Sequence, residues 1–365
     1  MTDSKVLVAI VVLLVLCSTA QASKRFEDWF WYDNTFNNII RYNCSTEYNN
    51  YINHHDSRWW AGWPTYEEPK GERTYWKYLH PILICLLDTT DDLNKAEMAS
   101  AGVLLGLMPT ILAYAGSNLT ETALLSLRRP VFACLLAIGS PAVPPLRSFT
   151  HEDVPKMLTR RKSGMTVNLA TPSWGVKTRA LVVGIELVLV LAAIGNVFYA
   201  SYELGVKTVI SWSGDVSYHP LMWSCLTGGV HIWGSMVLRQ DVVEIHASRD
   251  NIGQKMRVWV KNEFTPCAAQ DTPTVLKYRP DTFRFLFVSW WAAIFTLGHY
   301  IYGTVIFSSM LFISVPAATK ILVRFLSSTL CCRIIVTYEL SGMRYVSQKF
   351  REDTASELQE SAVGK

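Results

Sequence analysis

The sequence predicts an all-α multi-pass transmembrane helical bundle with a small aromatic-rich N-terminal region on the extracellular or lumenal side. Charged residues make up 18% of the 365 residues, whereas soluble domains contain about 25%. Apart from Glu186, four long windows carry no formal charge: residues 98–120, 180–202, 216–238 and 285–319. Each window exceeds the roughly 20 apolar residues that cross a bilayer. The first three windows predict spans at residues 98–117, 180–202 and 216–238.

The N-terminus has the pattern of a secretory signal peptide. Lys5 precedes an apolar run over residues 6–17, and the small residues Ala20 and Ala22 fit an A-x-A cleavage site. We predict that residues 1–22 are removed; the alternative is an uncleaved signal anchor. The protein is therefore expected in the plasma membrane or in an endomembrane of the secretory pathway.

The region that follows, residues 23–97, is rich in aromatic side chains. Between residues 26 and 78, sixteen of fifty-three residues are Phe, Trp or Tyr. Such rings form a compact core, lie in the membrane interface or present a stacking surface to a ligand. Under the last alternative, Trp59, Trp60 and Trp63 are the recognition candidates, and the partner is an extracellular glycan or protein.

The fourth uncharged window is 35 residues long. A single helix of that length would measure about 52 Å, which is too long for one crossing. We expect two helices, 285–302 and 303–322, joined near residues 298–303. Arg284 and Lys320 flank the window, and the positive-inside rule places both in the cytosol only if the window forms a hairpin.

Residues 130–146 are apolar but contain four prolines, which interrupt helices. We expect a re-entrant segment or a short span here. In the re-entrant case the basic stretch 147–179 is cytosolic; if the segment crosses, the stretch lies outside. The positive-inside rule also assigns the loop 239–284 and the tail 323–365 to the cytosol.

The cytosolic loop and tail carry weaker signals. Residues 256–261 alternate apolar and basic side chains with period two, which is typical of a strand. Residues 241–247 are expected either to pair with this strand or to continue the preceding helix. Residues 339–361 predict a solvated or interfacial tail helix.

Signal cleavage leaves seven cysteines, an odd number. Only Cys44 and Cys85 precede the first span in the oxidising compartment, so they are the one candidate disulfide; the alternative is two unrelated thiols. Cys331 and Cys332 follow the last predicted span among basic residues, which suits S-palmitoylation. They are equally interpretable as small apolar residues at a helix end.

Two sequons match the pattern for N-glycosylation. Asn43 lies in the outer region and is the predicted acceptor, although Cys44 at the middle position weakens it. Asn118 lies at the cytosolic end of the first span and is expected to stay unmodified.

The sequence contains no motif for nucleotide binding, nucleophilic catalysis or a zinc protease. We predict a non-enzymatic protein with no cofactor and no resident metal. His219, His231 and His299 do not supply the facing pairs that a haem needs, and residues 54–56 lack a second metal-ligand cluster. A net charge of +4 also excludes a nucleic-acid partner recruited by bulk electrostatics.

Glu186 is the one acidic residue inside a predicted span. Intramembrane carboxylates are costly and often functional. His231 and Asn196 lie at depths that make them candidate partners. A structural contact between helices and a proton or cation site in a transport pathway are both compatible with this residue.

A stretch of about 40 residues that includes part of the first predicted span resembles sequences of a known group of proteins. The runs 104–112, 124–130 and 139–143 resemble a stretch shared by uncharacterised multi-pass membrane proteins of filamentous ascomycete fungi. This resemblance implies a fungal membrane protein and transfers no site residue. Separately, Gly102 and Gly106 form a GxxxG step on the first predicted span, which permits close helix packing.

Two classes of function remain. The first is a non-enzymatic receptor, sensor or scaffold embedded in the lipid bilayer. The second is a small-solute or ion transporter that uses an intramembrane carboxylate.

Overall fold

The computed structural model describes residues 26–30, 32–54, 79–144, 158, 175–214, 216–244, 252–270, 273–274, 276–280 and 282–363. The helices among them are α1 Asp33–Tyr42, α2 Ser45–His54, α3 His80–Thr89, α4 Asp92–Ala115, α5 Leu119–Ser126, α6 Pro130–Gly139, α7 Val176–Lys207, α8 His219–Asp241, α9 Ile252–Glu263, α10 Phe283–Ser308 and α11 Val315–Val363. The strands are β1 Val209–Ile210, β2 Val242–Glu244, β3 Leu276–Tyr278 and β4 Met310–Leu311. The chain is an all-α membrane protein, as predicted.

Five helices are long and apolar enough to cross a bilayer: α4, α7, α8, α10 and the Val315–Phe350 part of α11. Many of their apolar side chains are exposed on the surface of the protein, including Leu181, Val188 and Trp290. Such an apolar outer surface is suited to lipid tails rather than to water. The chain is therefore embedded in a membrane.

The chain divides into two compact units, and each of the five long helices contributes residues to both. The first unit comprises residues 1–111, 196–226 and 299–326, and the second comprises 112–195, 227–298 and 327–365.

An aromatic core organises the first unit. Phe36 is fully buried, and its ring centroid lies 4.7 Å from that of Trp29 and 5.2 Å from that of Phe312. Phe312 follows β4, which pairs antiparallel with β1 so that Val209 faces Leu311. The end of α7 and the turn between α10 and α11 are thereby held beside the N-terminal helices.

The carboxylate of Glu97 adds a polar link within this unit. Its Oε2 accepts a hydrogen bond of 2.6 Å from the Tyr32 hydroxyl, and its Oε1 accepts one of 3.3 Å from the backbone N–H of Val315. Burial, followed by this hydrogen bond and the charge of Glu97, raises the pKa of Tyr32 above its ordinary value. The hydroxyl therefore stays protonated as a donor at neutral pH.

The core of the second unit is built on α6, whose buried face includes Phe132, Ala133 and Leu136. At 10 residues α6 is about 15 Å long, half the thickness of the hydrocarbon. A straight crossing by this helix alone is excluded by that length. The re-entrant geometry of residues 130–146 stays a prediction.

The predicted break between the last two spans is wrong in position. Helix α10 continues through Gly298 and Gly303 to Ser308, and the turn comes at residues 309–314. Gly303 does not break the helix but makes room for Trp223, because an added Cβ would lie 2.3 Å from the indole Nε1. Lys320 therefore lies in the second turn of α11, in the same unit as the N-terminal helices, whereas the prediction placed it near the far end of that helix.

The predicted end of the last span at residue 322 and the separate tail helix at 339–361 are also wrong, because α11 is continuous. Three charges of this helix have ion-pair partners inside the protein. Arg324 pairs with Glu203, Arg333 with Glu121 at 2.7 Å, and Glu339 with Arg129 at 3.1 Å. Compensated charges do not end a membrane helix, so the apolar part runs on to Phe350.

The predicted strand at residues 256–261 is wrong as well, since these residues belong to α9. Strand β2 instead pairs antiparallel with β3, with Val243 opposite Lys277. The apolar positions of α9 also recur at helical spacing, which explains why the period-two pattern was misleading.

Candidate functional site

A charged cleft of about 180 Å³ lies in the first unit. We define the charged cleft by its lining residues, which are Trp29, Phe30, Glu203, Lys207, Ala317, Lys320, Ile321 and Arg324. The last turns of α7 and the first turns of α11 supply its charges. The N-terminal segment supplies an aromatic wall that is fixed because Trp29 is buried in the aromatic core.

The charges of the cleft are unbalanced. Glu203 pairs with Arg324 and, at 3.4 Å, with Lys207. The Nζ atom of Lys207 also lies 5.4 Å from the centroid of the Phe30 ring, within the range of a cation–π interaction. Lys320 is exposed and has no ion-pair partner within the described part of the chain. Three cations against one carboxylate leave an excess of positive charge.

Asn196, a sequence-predicted candidate, positions one of these cations. Its Oδ1 accepts a hydrogen bond of 3.0 Å from Arg324 Nε, and its Nδ2 donates one of 2.8 Å to the Arg324 carbonyl. The Arg324 guanidinium carbon lies 4.9 Å from the centroid of the Tyr199 ring. Asn196, Tyr199 and Glu203, which lie along one face of α7, therefore hold Arg324 at the cleft.

A second charged site, the arginine cluster, lies in the second unit and consists of Arg129, Glu186, Glu263 and Glu339. Arg129 Nη1 is 2.7 Å from Glu186 Oε2 and 3.1 Å from Glu339 Oε1. Its Nε donates to the carbonyl of Glu263 at 3.1 Å, and its guanidinium stacks 3.9 Å above the ring of Phe132. All four members of the cluster are buried.

Backbone groups satisfy further oxygens of the cluster. Glu263 Oε1 accepts the N–H of Phe132 at 2.6 Å, and Glu339 Oε2 accepts the N–H of Cys267 at 3.0 Å. Burial lowers the pKa of Arg129, but the charges of Glu339 and Glu186 outweigh that effect and raise it above its ordinary value. Burial raises the pKa of Glu263. The cluster thus ties α6, α7, α9 and α11 together around one permanent cation.

The predicted partners of Glu186 are corrected by this geometry. Its carboxylate contacts Arg129, whereas Asn196 binds Arg324 and His231 Nε2 lies 3.3 Å from the Ser235 hydroxyl. Arg129 was missed because a charged residue in a short loop is normally solvated. Its position directly before the apolar residues of α6 is the signal that could have found it.

The cysteines fall into two groups. Cys44 and Cys85 form a disulfide with a Cα–Cα distance of 5.9 Å. Cys332 is buried in the core of the second unit, in the middle of α11, which removes it as a palmitoylation site. Cys331 is half-buried, and its palmitoylation stays a prediction.

The remaining candidates have mixed outcomes. Asn43 is exposed at the end of α1, and its glycosylation stays a prediction. Trp59, Trp60 and Trp63 lie outside the described residues, as do the signal peptide 1–22 and most of the basic stretch 147–179.

The intramembrane histidines of the first unit have structural partners. His219 lies within 2.9 Å of the Ser213 hydroxyl and 2.7 Å of the Tyr302 hydroxyl. His299 stacks on Trp223 at 5.2 Å between ring centroids, and its Nε2 is 2.9 Å from the Trp223 carbonyl. Within the described residues, no group of three or more His, Cys, Asp or Glu side chains is arranged to hold a metal ion.

Comparison with known proteins gives no assignment: no family model, no curated protein and no solved structure matches the chain.

Proposed function

We propose that the chain is a non-enzymatic membrane receptor or sensor that binds an amphiphilic anion in the charged cleft. The observation that carries this proposal is the exposed Lys320, which adds an uncompensated cation to the Lys207, Arg324 and Glu203 network. The predicted signal peptide supports a location in the plasma membrane or in an endomembrane of the secretory pathway.

The chemistry of the lining defines the ligand class. Lysine and arginine side chains favour a phosphate or carboxylate head group. Trp29, Phe30 and Ile321 offer an apolar surface to an attached hydrocarbon chain. A volume of about 180 Å³ is below the usual range for drug-sized ligands. The cleft is therefore suited to a head group and the first part of a chain.

The position of the cleft would allow the binding of an anion to affect two membrane-spanning helices. Its cations lie on α7 and α11, and both helices continue from it as membrane-spanning segments. An anion that contacts Lys320 and Lys207 together links these two helices. This linkage supports a receptor or sensor over a passive scaffold.

Thermal unfolding of the purified full chain in nonionic detergent tests the proposal. Lysophosphatidate should raise the Tm, because a ligand at 100 times its Kd adds about 2.7 kcal/mol of stability. Lys320→Gln should reduce that shift. Lys277→Gln is the matched control, because it removes an exposed lysine on β3. Inorganic phosphate and an uncharged monoacylglycerol separate the contributions of head group and chain.

Two outcomes would contradict the proposal. One is an equal Tm shift in the wild-type chain and in Lys320→Gln. The other is the absence of a shift with every anionic probe. In sealed vesicles containing the wild-type protein, a receptor should bind lysophosphatidate without carrying it across.

The second candidate function is the small-solute or ion transporter. Its support is the arginine cluster, in which two buried carboxylates pair with Arg129 and the buried Glu263 accepts a hydrogen bond from Arg129 through its backbone carbonyl. Glu186→Gln keeps the side-chain shape and removes one charge. Loss of pH-dependent flux in a folded Glu186→Gln protein would favour the transporter, and the absence of flux in the wild-type chain would remove it.

A further inference from the structure

Helix α9 presents an apolar face that nothing covers within the described part of the second unit. The exposed fractions are 46% for Met256, 39% for Trp259 and 42% for Val260. Phe264, directly after the helix, is 63% exposed. Large apolar side chains grouped in this way mark an interaction surface.

The direction of this face follows from the anchored end of the helix. Met256, Trp259, Val260 and Glu263 occupy positions i, i+3, i+4 and i+7, which lie on one side of an α-helix. Glu263 is buried and accepts the N–H of Phe132, at the start of the apolar helix α6. The exposed part of the face therefore continues a face that is already turned toward the apolar helix α6.

The attachment of the loop keeps α9 near the bilayer. Strand β2 begins directly after α8, and β3 ends shortly before α10. The two strands pair with each other, and the N–H of Arg279 also donates to the carbonyl of Asp241 at 2.8 Å. Both ends of the loop are thus fixed at the ends of membrane-spanning helices.

The charge next to this face selects the occupant. Arg257 and Lys261 are exposed on α9 beside the apolar residues. Tryptophan between apolar and basic side chains is the pattern of a helix that lies in the interface of a bilayer with anionic lipids. Each basic residue near such a surface contributes about 1 kcal/mol of attraction.

We propose that α9 is an interfacial helix that inserts Met256, Trp259 and Val260 into an anionic leaflet of the bilayer the chain spans. Arg257 and Lys261 bind the lipid head groups. Because Glu263 at the end of this helix belongs to the arginine cluster and binds Arg129 through its carbonyl, the lipid contact is connected to the buried charges of the second unit. This inference does not depend on the charged cleft.

The test uses the full chain in nanodiscs of phosphatidylcholine with and without phosphatidylserine. An environment-sensitive fluorophore is attached through Val260→Cys on the apolar face or, in a second variant, through Gln254→Cys on the opposite side. The fluorescence of the wild-type protein labelled in the same way is subtracted, because its own cysteines also react. At residue 260, lipid-borne nitroxides should quench the fluorophore and aqueous iodide should not. At residue 254, the pattern should be reversed.

The charges are tested in the same system. Combined Arg257→Gln and Lys261→Gln substitutions should reduce lipid quenching at residue 260 in discs with phosphatidylserine, with Lys277→Gln as the unaffected control. Equal iodide quenching at both sites would overturn the proposal. Protection from both quenchers at residue 260 would also overturn it, because the face would then be covered by protein.

Discussion

Arg129 is a single buried cation that two carboxylates share, with the carbonyl of a third glutamate on its Nε. A buried ion pair of this kind contributes little net free energy while intact, because desolvation offsets attraction. Removal of one partner is different, since the remaining charges stay buried without compensation.

Arg129→Met should therefore lower the free energy of unfolding by about 3–5 kcal/mol, measured by SDS titration in mixed micelles. Adding Glu186→Gln to Arg129→Met should restore part of the loss. Lys95→Gln, which breaks an exposed pair with Asp92, should leave the midpoint unchanged. Equal midpoints for Arg129→Met and Lys95→Gln would contradict this view of the cluster.

Cys267 provides a pH-dependent prediction outside the membrane helices. Burial, and then the charge of Glu339, raises the pKa of its thiol well above the ordinary value. Because the thiolate is the reactive form, iodoacetamide labelling of Cys267 should stay low when the pH rises from about 7 to about 9, which brackets the ordinary thiol pKa. Mass spectrometry of the digested protein measures the labelled fraction of Cys267, and SDS-unfolded protein is the fully labelled reference.

Glu339→Gln separates charge from accessibility at this thiol. The substitution removes the negative charge but keeps the side-chain shape, so the pKa of Cys267 should fall and labelling should increase. Rapid labelling of wild-type Cys267 at neutral pH would be incompatible with its buried position.

At the residue scale, sequence reasoning identified Glu186 but not its partner. An uncompensated carboxylate inside an apolar window is visible without a structure. Its partner lies 57 residues earlier, and sequence spacing does not encode contacts between separate helices. Asn196 was found for a similar reason, but its role in holding Arg324 depends on the tertiary packing.

At the element scale, two glycines of α10 have opposite environments. An added Cβ at Gly303 would meet the Trp223 indole at 2.3 Å, whereas one at Gly298 would meet nothing within 4 Å. Gly303→Ala should therefore cost about 1–3 kcal/mol through overpacking. Gly298→Ala should stabilise the helix by about 0.5–1 kcal/mol.

Thermal unfolding of the two variants in the same detergent measures this difference. A Tm that rises for Gly298→Ala and falls for Gly303→Ala is expected. If both substitutions changed the Tm equally, the close approach of Trp223 to Gly303 would be refuted.

The uncharged windows predicted the spans α4, α7 and α8 with small errors at their ends. The end of the last span, in α11, was predicted less well. The charged residues of this helix were taken to be in water, whereas several of them are neutralised by ion-pair partners in the folded protein. Arg333 shows this, since it binds both the carbonyl of Gly116 and the carboxylate of Glu121. The turn after Ser308 has no glycine or proline at its start; its local signal lies at its end, where Ser314 caps α11 and Pro316 occupies the first helical turn.

At the scale of the whole molecule, we predict that the five long apolar helices all cross the membrane, so that the N-terminal region and the C-terminus lie on opposite sides. Epitopes at the C-terminus and within residues 147–174 should be inaccessible on intact cells. A glycan on Asn43, lost in Asn43→Gln, would mark the outer side. Antibody access to the loop epitope would establish a further crossing by residues 130–146.

The length of helix α11 has a mechanical consequence. It contains 49 residues and is about 74 Å long. Lys320 and Arg324 lie near its beginning. A straight rod of this length converts a tilt of about 1° at the first turns into a displacement of about 1 Å at the far end. If an anion in the charged cleft tilts the first turns of α11, we expect the segment after Phe350 to be displaced further than the cleft itself.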